Sequence, residues 1–143
     1  MKGFKFLDHT ADVQSKSWGE SIEEAFSQCA LSLMAVITPE LENISQTTEK
    51  SVKIIAEDKE ALLFDFLYEF LFIFDVEGLV FNFIDVKITS SKNDQYELEA
   101  LLKGEIFDTD KHEIGTEVKA ITYSFIEILE SKNNVEIKIV FDL

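Results

Sequence analysis

The chain of 143 residues has 28 acidic and 13 basic side chains, a net charge of −15 at pH 7, and no arginine. Such a surface repels phosphate backbones, which argues against direct nucleic-acid binding and favours a basic protein partner or a bound cation. A hydrophobic fraction of 46%, with 13 phenylalanines, suffices for one folded domain over residues 1–143.

The N-terminal run Phe6–Val13 places two acids, a histidine and a threonine within five residues. Residues 1–19 are predicted to form two short strands around this run, with Phe4 and Phe6 on one face. The simplest interpretation of the run is a turn in which Asp and Thr side chains bond to nearby backbone amides. The same residue types also ligate cations and transfer protons, so both interpretations stay open at this point.

A first helix is predicted from the capping box Ser21–Glu24, in which side-chain oxygens satisfy exposed amides at the helix start. Apolar residues then recur at helical spacing, at Ile22, Ala25, Phe26, Cys29, Ala30, Leu33 and Met34. Cys29 lies on this stripe and is predicted to be a core residue rather than a nucleophile. Pro39 marks the following loop, and the polar residues 40–49 are the segment where we expect mobility.

Residues 51–56 are predicted to form a strand, and Asp58 is a candidate N-cap for a second helix. From residue 62 to residue 74 only two acids interrupt an apolar run. This run is shorter than the roughly 20 residues that span a membrane, so it predicts a helix buried on most sides against a sheet. Gly78 is expected to end the helix in a left-handed conformation.

The second half of the chain predicts strands. Residues 84–88 and 96–102 alternate between apolar and polar side chains, with turn residues at Lys92–Asp94 between them. A further run starts at Val118, and Asn133–Asn134 is predicted to turn it into a last strand. The fold class is therefore α+β, with two helices on an antiparallel or mixed sheet.

Three carboxylates are candidates for a common site: those of Asp12, Asp142 and the terminal residue Leu143. They can meet if the first and last strands are neighbours, at a cost of about 4 kcal/mol for two like charges 4 Å apart near a protein surface. A bound divalent cation offsets this repulsion, and oxygen ligands favour Ca²⁺, Mg²⁺ or Mn²⁺ over Zn²⁺. Acids near chain ends are more often simply solvated, so the residues alone leave both interpretations open.

The chain resembles the archease family, the small acidic partners of the GTP-dependent RNA ligase that seals tRNA exons. The stretches that carry the resemblance run in order from end to end: Phe6–Val13, Gly19–Phe26, Glu77–Phe81, Gly104–Glu105, Lys111–Tyr123 and Val140–Leu143. The resemblance implies a divalent-metal site, with Ca²⁺ as the expected cation and Mg²⁺ or Mn²⁺ as alternatives. Its ligands would be Asp12, Asp142 and a main-chain oxygen of Leu143.

Neighbouring residues have several possible roles. His9 could be a further ligand, a proton carrier or a residue that orients Asp12, although nearby acids favour its imidazolium form and argue against ligation. Asp8 could support the ligands or form a turn. Lys119 matches a family lysine and could reach a phosphate or a partner carboxylate, or it is a surface strand residue. The family often has histidine where this chain has Ser124, while His112 and Glu113 are expected in a loop without ligand spacing.

The function implied by the resemblance is non-enzymatic: activation of the tRNA-splicing RNA ligase by promoting its guanylylation and multiple turnover. A metal-dependent hydrolase or phosphotransferase using Asp12, Asp142 and His9 is the alternative, which the absence of a glycine-rich phosphate loop disfavours. A general chaperone-like binding module is the third possibility. A single cysteine, Cys29, and an N-terminus without the long apolar region of a signal peptide are consistent with a cytoplasmic protein. We expect it to be a monomer or a weak homo-oligomer.

Overall fold

The computed structural model describes residues 1–7, 12–91 and 93–143. Within these ranges the chain forms two helices, a short 3-10 turn at Leu41–Asn43, and seven strands. The helices and strands are, in order, β1 (Gly3–Leu7), β2 (Asp12–Gly19), α1 (Ile22–Ile37), β3 (Thr48–Ala56), α2 (Lys59–Glu77), β4 (Leu79–Ser90), β5 (Tyr96–Ile106), β6 (Ala120–Ser131) and β7 (Asn134–Asp142).

The strands form two antiparallel sheets, one in the order β1-β2-β7-β6 and the other in the order β3-β5-β4. Both helices contact strands of both sheets, so the apolar core lies between the sheets and around the helices. The predicted α+β class with two packed helices is confirmed. Alternation within single strands does not reveal their partners, so the division into two sheets could not be predicted.

The start of α1 follows the predicted capping box with one difference. The Ser21 hydroxyl accepts a hydrogen bond from the Glu24 amide at 3.2 Å. The Glu24 carboxylate accepts from the amide of Glu20 at 2.9 Å, one residue before the cap. Cys29 is buried on the inner face of the helix, and burial raises its pKa to about 12. The core assignment of Cys29 is therefore confirmed.

The helix α2 begins and ends as predicted, because Asp58 accepts a hydrogen bond from the Ala61 amide at 2.7 Å and Gly78 has a φ of 70°. Its burial differs from the prediction. One face, which includes Leu63, Phe66 and Phe70, is buried, but apolar side chains of another face are exposed to solvent. No helix in the described ranges is both long and apolar enough to span a membrane.

Two loop predictions have partial outcomes. Asn133 has a φ of 58° in the predicted turn before β7, and Asp94 has a φ of 57° in the turn before β5, where Lys92 lies outside the described residues. The segment expected to be mobile is held at one end, since the Asn82 side-chain amide donates to the carbonyls of Leu41 and Ile44 at 2.9 and 2.8 Å. Its mobility stays a prediction.

Candidate functional site

The pairing of β2 with β7 brings the two predicted acidic ligands together. Asp12 and Asp142 are direct partners across this antiparallel pair, and both are half-buried. Directly opposed residues point to the same face of a sheet, with Cβ atoms about 4.5–5.5 Å apart. The sequence predicts that these acids meet if the first and last strands are neighbours. In the structure the last strand pairs with the second strand, β2, while β1 lies on the far side of β2; the two acids still meet because Asp12 is the first residue of β2.

The other side of β7 is covered by β6. Ala120 is the partner of Asp142 on this side, and the Lys119 amide donates to the Asp142 carbonyl at 2.8 Å. Leu143 is half-buried and packs against the apolar core. Both residues therefore lie next to Asp142. Leu143 follows it in the sequence, and Lys119 is bonded to it through the backbone.

The candidate ligand atoms at this strand end are oxygens. Two carboxylates and the main-chain oxygens of Leu143 suit a hard cation such as Ca²⁺, Mg²⁺ or Mn²⁺. Asp8, His9, Thr10 and Ala11 lie outside the described residues. Among residues 1–7, 12–91 and 93–143, no group of three or more His, Cys, Asp or Glu side chains has metal-binding geometry, so a complete coordination shell is not described.

A second polar cluster lies at the end of β5 and was not predicted. The Glu105 Oε2 atom accepts hydrogen bonds from the Ser45 amide at 2.7 Å and from His112 Nε2 at 2.8 Å. The Lys111 ammonium lies 2.7 Å from the same oxygen. Burial alone would raise the pKa of Glu105, but the bonds from Lys111, Ser45 and His112 outweigh it and lower the pKa to about 2.

His112 does lie in a loop as predicted, but it is buried and has a defined structural role. Its Nδ1 atom accepts a hydrogen bond from the Asp108 amide at 2.9 Å, so Nε2 carries the proton that is donated to Glu105. The ring stacks on Phe107 at a centroid distance of 5.7 Å. No sequence spacing pointed to this cluster; the adjacent lysine and histidine at 111–112 and the acid at 105 were the available signal.

The loop between β5 and β6 is also fixed to the end of α1. The amides of Gly115 and Thr116 donate to the carbonyls of Ile37 and Val36 at 2.9 and 2.8 Å, which satisfies carbonyls left open at the helix end. A Cβ atom at position 115 would lie 2.1 Å from the Val36 carbonyl oxygen. Glycine is therefore required at this close approach of two backbones.

A groove of about 570 Å³ lies between α2 and the same loop. One wall includes Tyr68 and Phe72 of α2, and the other is formed by residues 114–119, which end at Lys119 beside the strand end that holds Asp142. The acids Asp75 and Glu117 also line it. This groove was not predicted, because α2 was expected to be buried on most sides.

Known proteins match this chain over nearly its whole length. The model of the archease protein family matches residues 4–143. The archease of Danio rerio is 39% identical over 142 residues, which cover 99% of this chain and 86% of that one. A solution structure of a Methanobacterium thermoautotrophicum protein is 37% identical, with complete coverage of both chains and a TM-score of 0.87.

A crystal structure of an archease from Thermotoga maritima, described as a possible chaperone, covers 97% of this chain and 96% of that chain. Its TM-score is 0.61 at 24% identity, so this likeness concerns the fold alone.

Proposed function

The chain belongs to the archease family, and we propose that it is a non-enzymatic activator of the GTP-dependent tRNA-splicing RNA ligase. In this function it promotes guanylylation of the ligase and thereby multiple turnover. The observation that carries the proposal is the direct pairing of Asp12 with Asp142 at the end of β7. Like charges directly opposed across two strands are destabilising, and a bound cation would compensate them.

The proposed cation is Ca²⁺, with Mg²⁺ and Mn²⁺ as alternatives that accept the same oxygen donors. Asp12, Asp142 and a main-chain oxygen of Leu143 would hold it. When bound, the cation would supply positive charge at an otherwise acidic surface. We place Asp8 and His9 next to this site from the sequence, and Lys119 is the proposed contact to a partner carboxylate or phosphate because its backbone is bonded to Asp142.

The proposed partner is the ligase protein rather than its RNA. A net charge of −15 without arginine repels a nucleic-acid backbone at long range and attracts a basic protein surface. The same charge opposes self-association, which supports a monomer or a weak homo-oligomer. The ligase's reaction belongs to tRNA splicing, and we propose that this protein activates the ligase in the cytoplasm.

The enzyme alternative requires a nucleophile activated by a neighbouring base. The single cysteine is buried and its pKa is raised to about 12, so Cys29 does not fill that role. The charged side chains described at the end of β7 are those of Asp12, Asp142 and Lys119. A chaperone-like binding module, as in the description of the Thermotoga maritima protein, is compatible with the groove but gives the paired acids no task.

The deciding experiment follows label from GTP onto the purified cognate ligase before any RNA is added. Substoichiometric amounts of this protein should accelerate labelling and allow repeated turnover once RNA is supplied. Asp12→Ala and Asp142→Ala should abolish the acceleration, and Lys119→Ala should reduce it less. Asp85→Ala, which removes an exposed acid from β4 in the other sheet, is the matched control and should act like the wild type.

Two results would contradict the proposal. One is an unchanged rate of ligase labelling at every concentration of the wild-type protein. The other is cation-dependent hydrolysis of nucleotides or phosphoesters by the protein alone, lost in Asp12→Ala, which would establish the enzyme alternative.

A further inference from the structure

An apolar stripe on α2 faces solvent. Tyr68, Phe72 and Val76 follow one another at intervals of four residues, so they share one face of the helix. All three are more than half exposed, with Phe72 at 52%. Folded monomers rarely leave large contiguous apolar patches open to water, and such patches mark binding surfaces.

The stripe continues across the groove into the loop between β5 and β6. Ile114, on the opposite wall, is 66% exposed, and Tyr68 and Phe72 line the near wall. The loop is held in place by bonds from Gly115 and Thr116 to the end of α1. The groove is therefore a preformed cleft rather than a gap between independent segments.

The surroundings of this cleft are acidic. Asp75 and Glu117 line it, whereas Lys119 is its single basic lining residue among the described part of the chain. Asp65 is exposed one turn before Tyr68 and two turns before Phe72 on the same helix. The pKa of Tyr123 on neighbouring β6 is raised by burial and by the charges of nearby acids, including Asp58 and Asp65, which is consistent with a negative potential here.

We propose that this cleft binds a segment of the partner ligase in which apolar side chains are flanked by Lys or Arg. The inference rests on the proposed function and adds the contact surface to it. Apolar anchors fill pockets at the centre of interfaces, while charge at the rim steers the encounter. A second copy of this chain would bring acids against acids at a net charge of −15 each, so a basic partner is the better match.

The cleft lies next to the proposed cation site. Lys119 lines the cleft and its amide is bonded to the carbonyl of Asp142, so the cleft ends beside the proposed cation site. A ligase segment held in the cleft would place the rest of the ligase next to that site.

The test measures the dissociation constant between this protein and its purified cognate ligase, together with the labelling of the ligase by GTP. Phe72→Ser should weaken binding about tenfold or more, as expected for an aromatic anchor. Ile114→Ser, on the other wall, should also weaken binding. At a saturating concentration of either variant, the labelling of the ligase should reach the rate seen with the wild type, because the paired acids are intact. Melting curves must show that each variant is folded.

Ile55→Ser is the matched control. Ile55 is 55% exposed, close to the value for Phe72, but it lies on β3 in the three-stranded sheet, outside the cleft. Its replacement should leave binding unchanged. If Phe72→Ser and Ile114→Ser bind like the wild type while the wild type still activates the ligase, the cleft is not the contact surface although the proposed function stands.

Two further outcomes also overturn the inference. If the wild type neither binds nor activates the ligase, the proposed function fails together with it. If sedimentation shows a wild-type dimer that Phe72→Ser converts to a monomer, the stripe serves self-association instead.

Discussion

Two groups of acids in this protein are placed differently in the sheets. Glu105 at the end of β5 accepts bonds from Ser45 and His112 and is paired with Lys111, which lowers its pKa to about 2. Asp12 and Asp142 instead face each other across two strands. Protein donors stabilise the first carboxylate, whereas the second pair brings like charges together. The bonds around Glu105 indicate a structural role, whereas two like charges at directly opposed strand positions are a place where an added cation has an electrostatic effect.

The largest expected change in stability is at Glu105. Glu105→Ala leaves the buried His112 and the Ser45 amide without their acceptor, which should cost about 2–3 kcal/mol of the free energy of unfolding. Urea denaturation in EDTA measures it. Glu97→Ala on the same strand removes an acid that is bonded to Lys53 near the surface, and should cost less than about 1 kcal/mol. Equal losses would mean that Glu105 is only another surface acid.

The second effect concerns acid pH. The pKa of Glu105 lies below its ordinary value of 4.5, at about 2. Its ionised form therefore stabilises the fold fully above about pH 4.5, and this contribution is lost as the pH falls toward 2. Glu105→Gln cannot titrate, so the difference in unfolding free energy between wild type and variant should shrink over that interval. A difference that stays constant from pH 6 to pH 2 would contradict the assignment.

Local signals in the sequence predicted the ends of both helices. Asp58 and Gly78 flank α2 as expected, and Ser21 caps α1, because caps depend on a few adjacent residues. The strand pairing that opposes Asp12 and Asp142 was stated only as a condition, since alternation does not name a strand's partner. Asp8 and His9 lie outside the described residues, so their roles stay predictions.

The bonds of Glu105 and the exposed face of α2 could not be predicted, and the reason is physical in both cases. The bonds of Glu105 join segments 60 residues apart for Ser45 and 7 residues apart for His112, and no local pattern encodes such contacts. The exposed face of α2 was predicted as buried because its apolar residues resemble core residues in composition. Only the packing of the helix in the folded protein shows that Phe72 and Val76 point away from the core.

The smallest expected effect has the most informative sign. In EDTA, Asp142→Asn removes one of two opposed charges while keeping the size of the side chain. The free energy of unfolding should therefore rise, by less than about 1 kcal/mol for a directly opposed pair. Asp12→Asn should act in the same direction, and the two variants together should gain less than the sum of the single changes, because the same repulsion is removed only once.

Added Ca²⁺ should reverse the order of stability. The wild type gains about 2.7 kcal/mol when the free cation is at 100 times its dissociation constant, since only the folded state binds it. The asparagine variants should gain little at the same concentration. A loss of stability in EDTA for either variant would show that these acids act as hydrogen-bonded structural groups, as Glu105 does. The contrast between the two acid environments would then disappear, and with it the main support for a cation between Asp12 and Asp142.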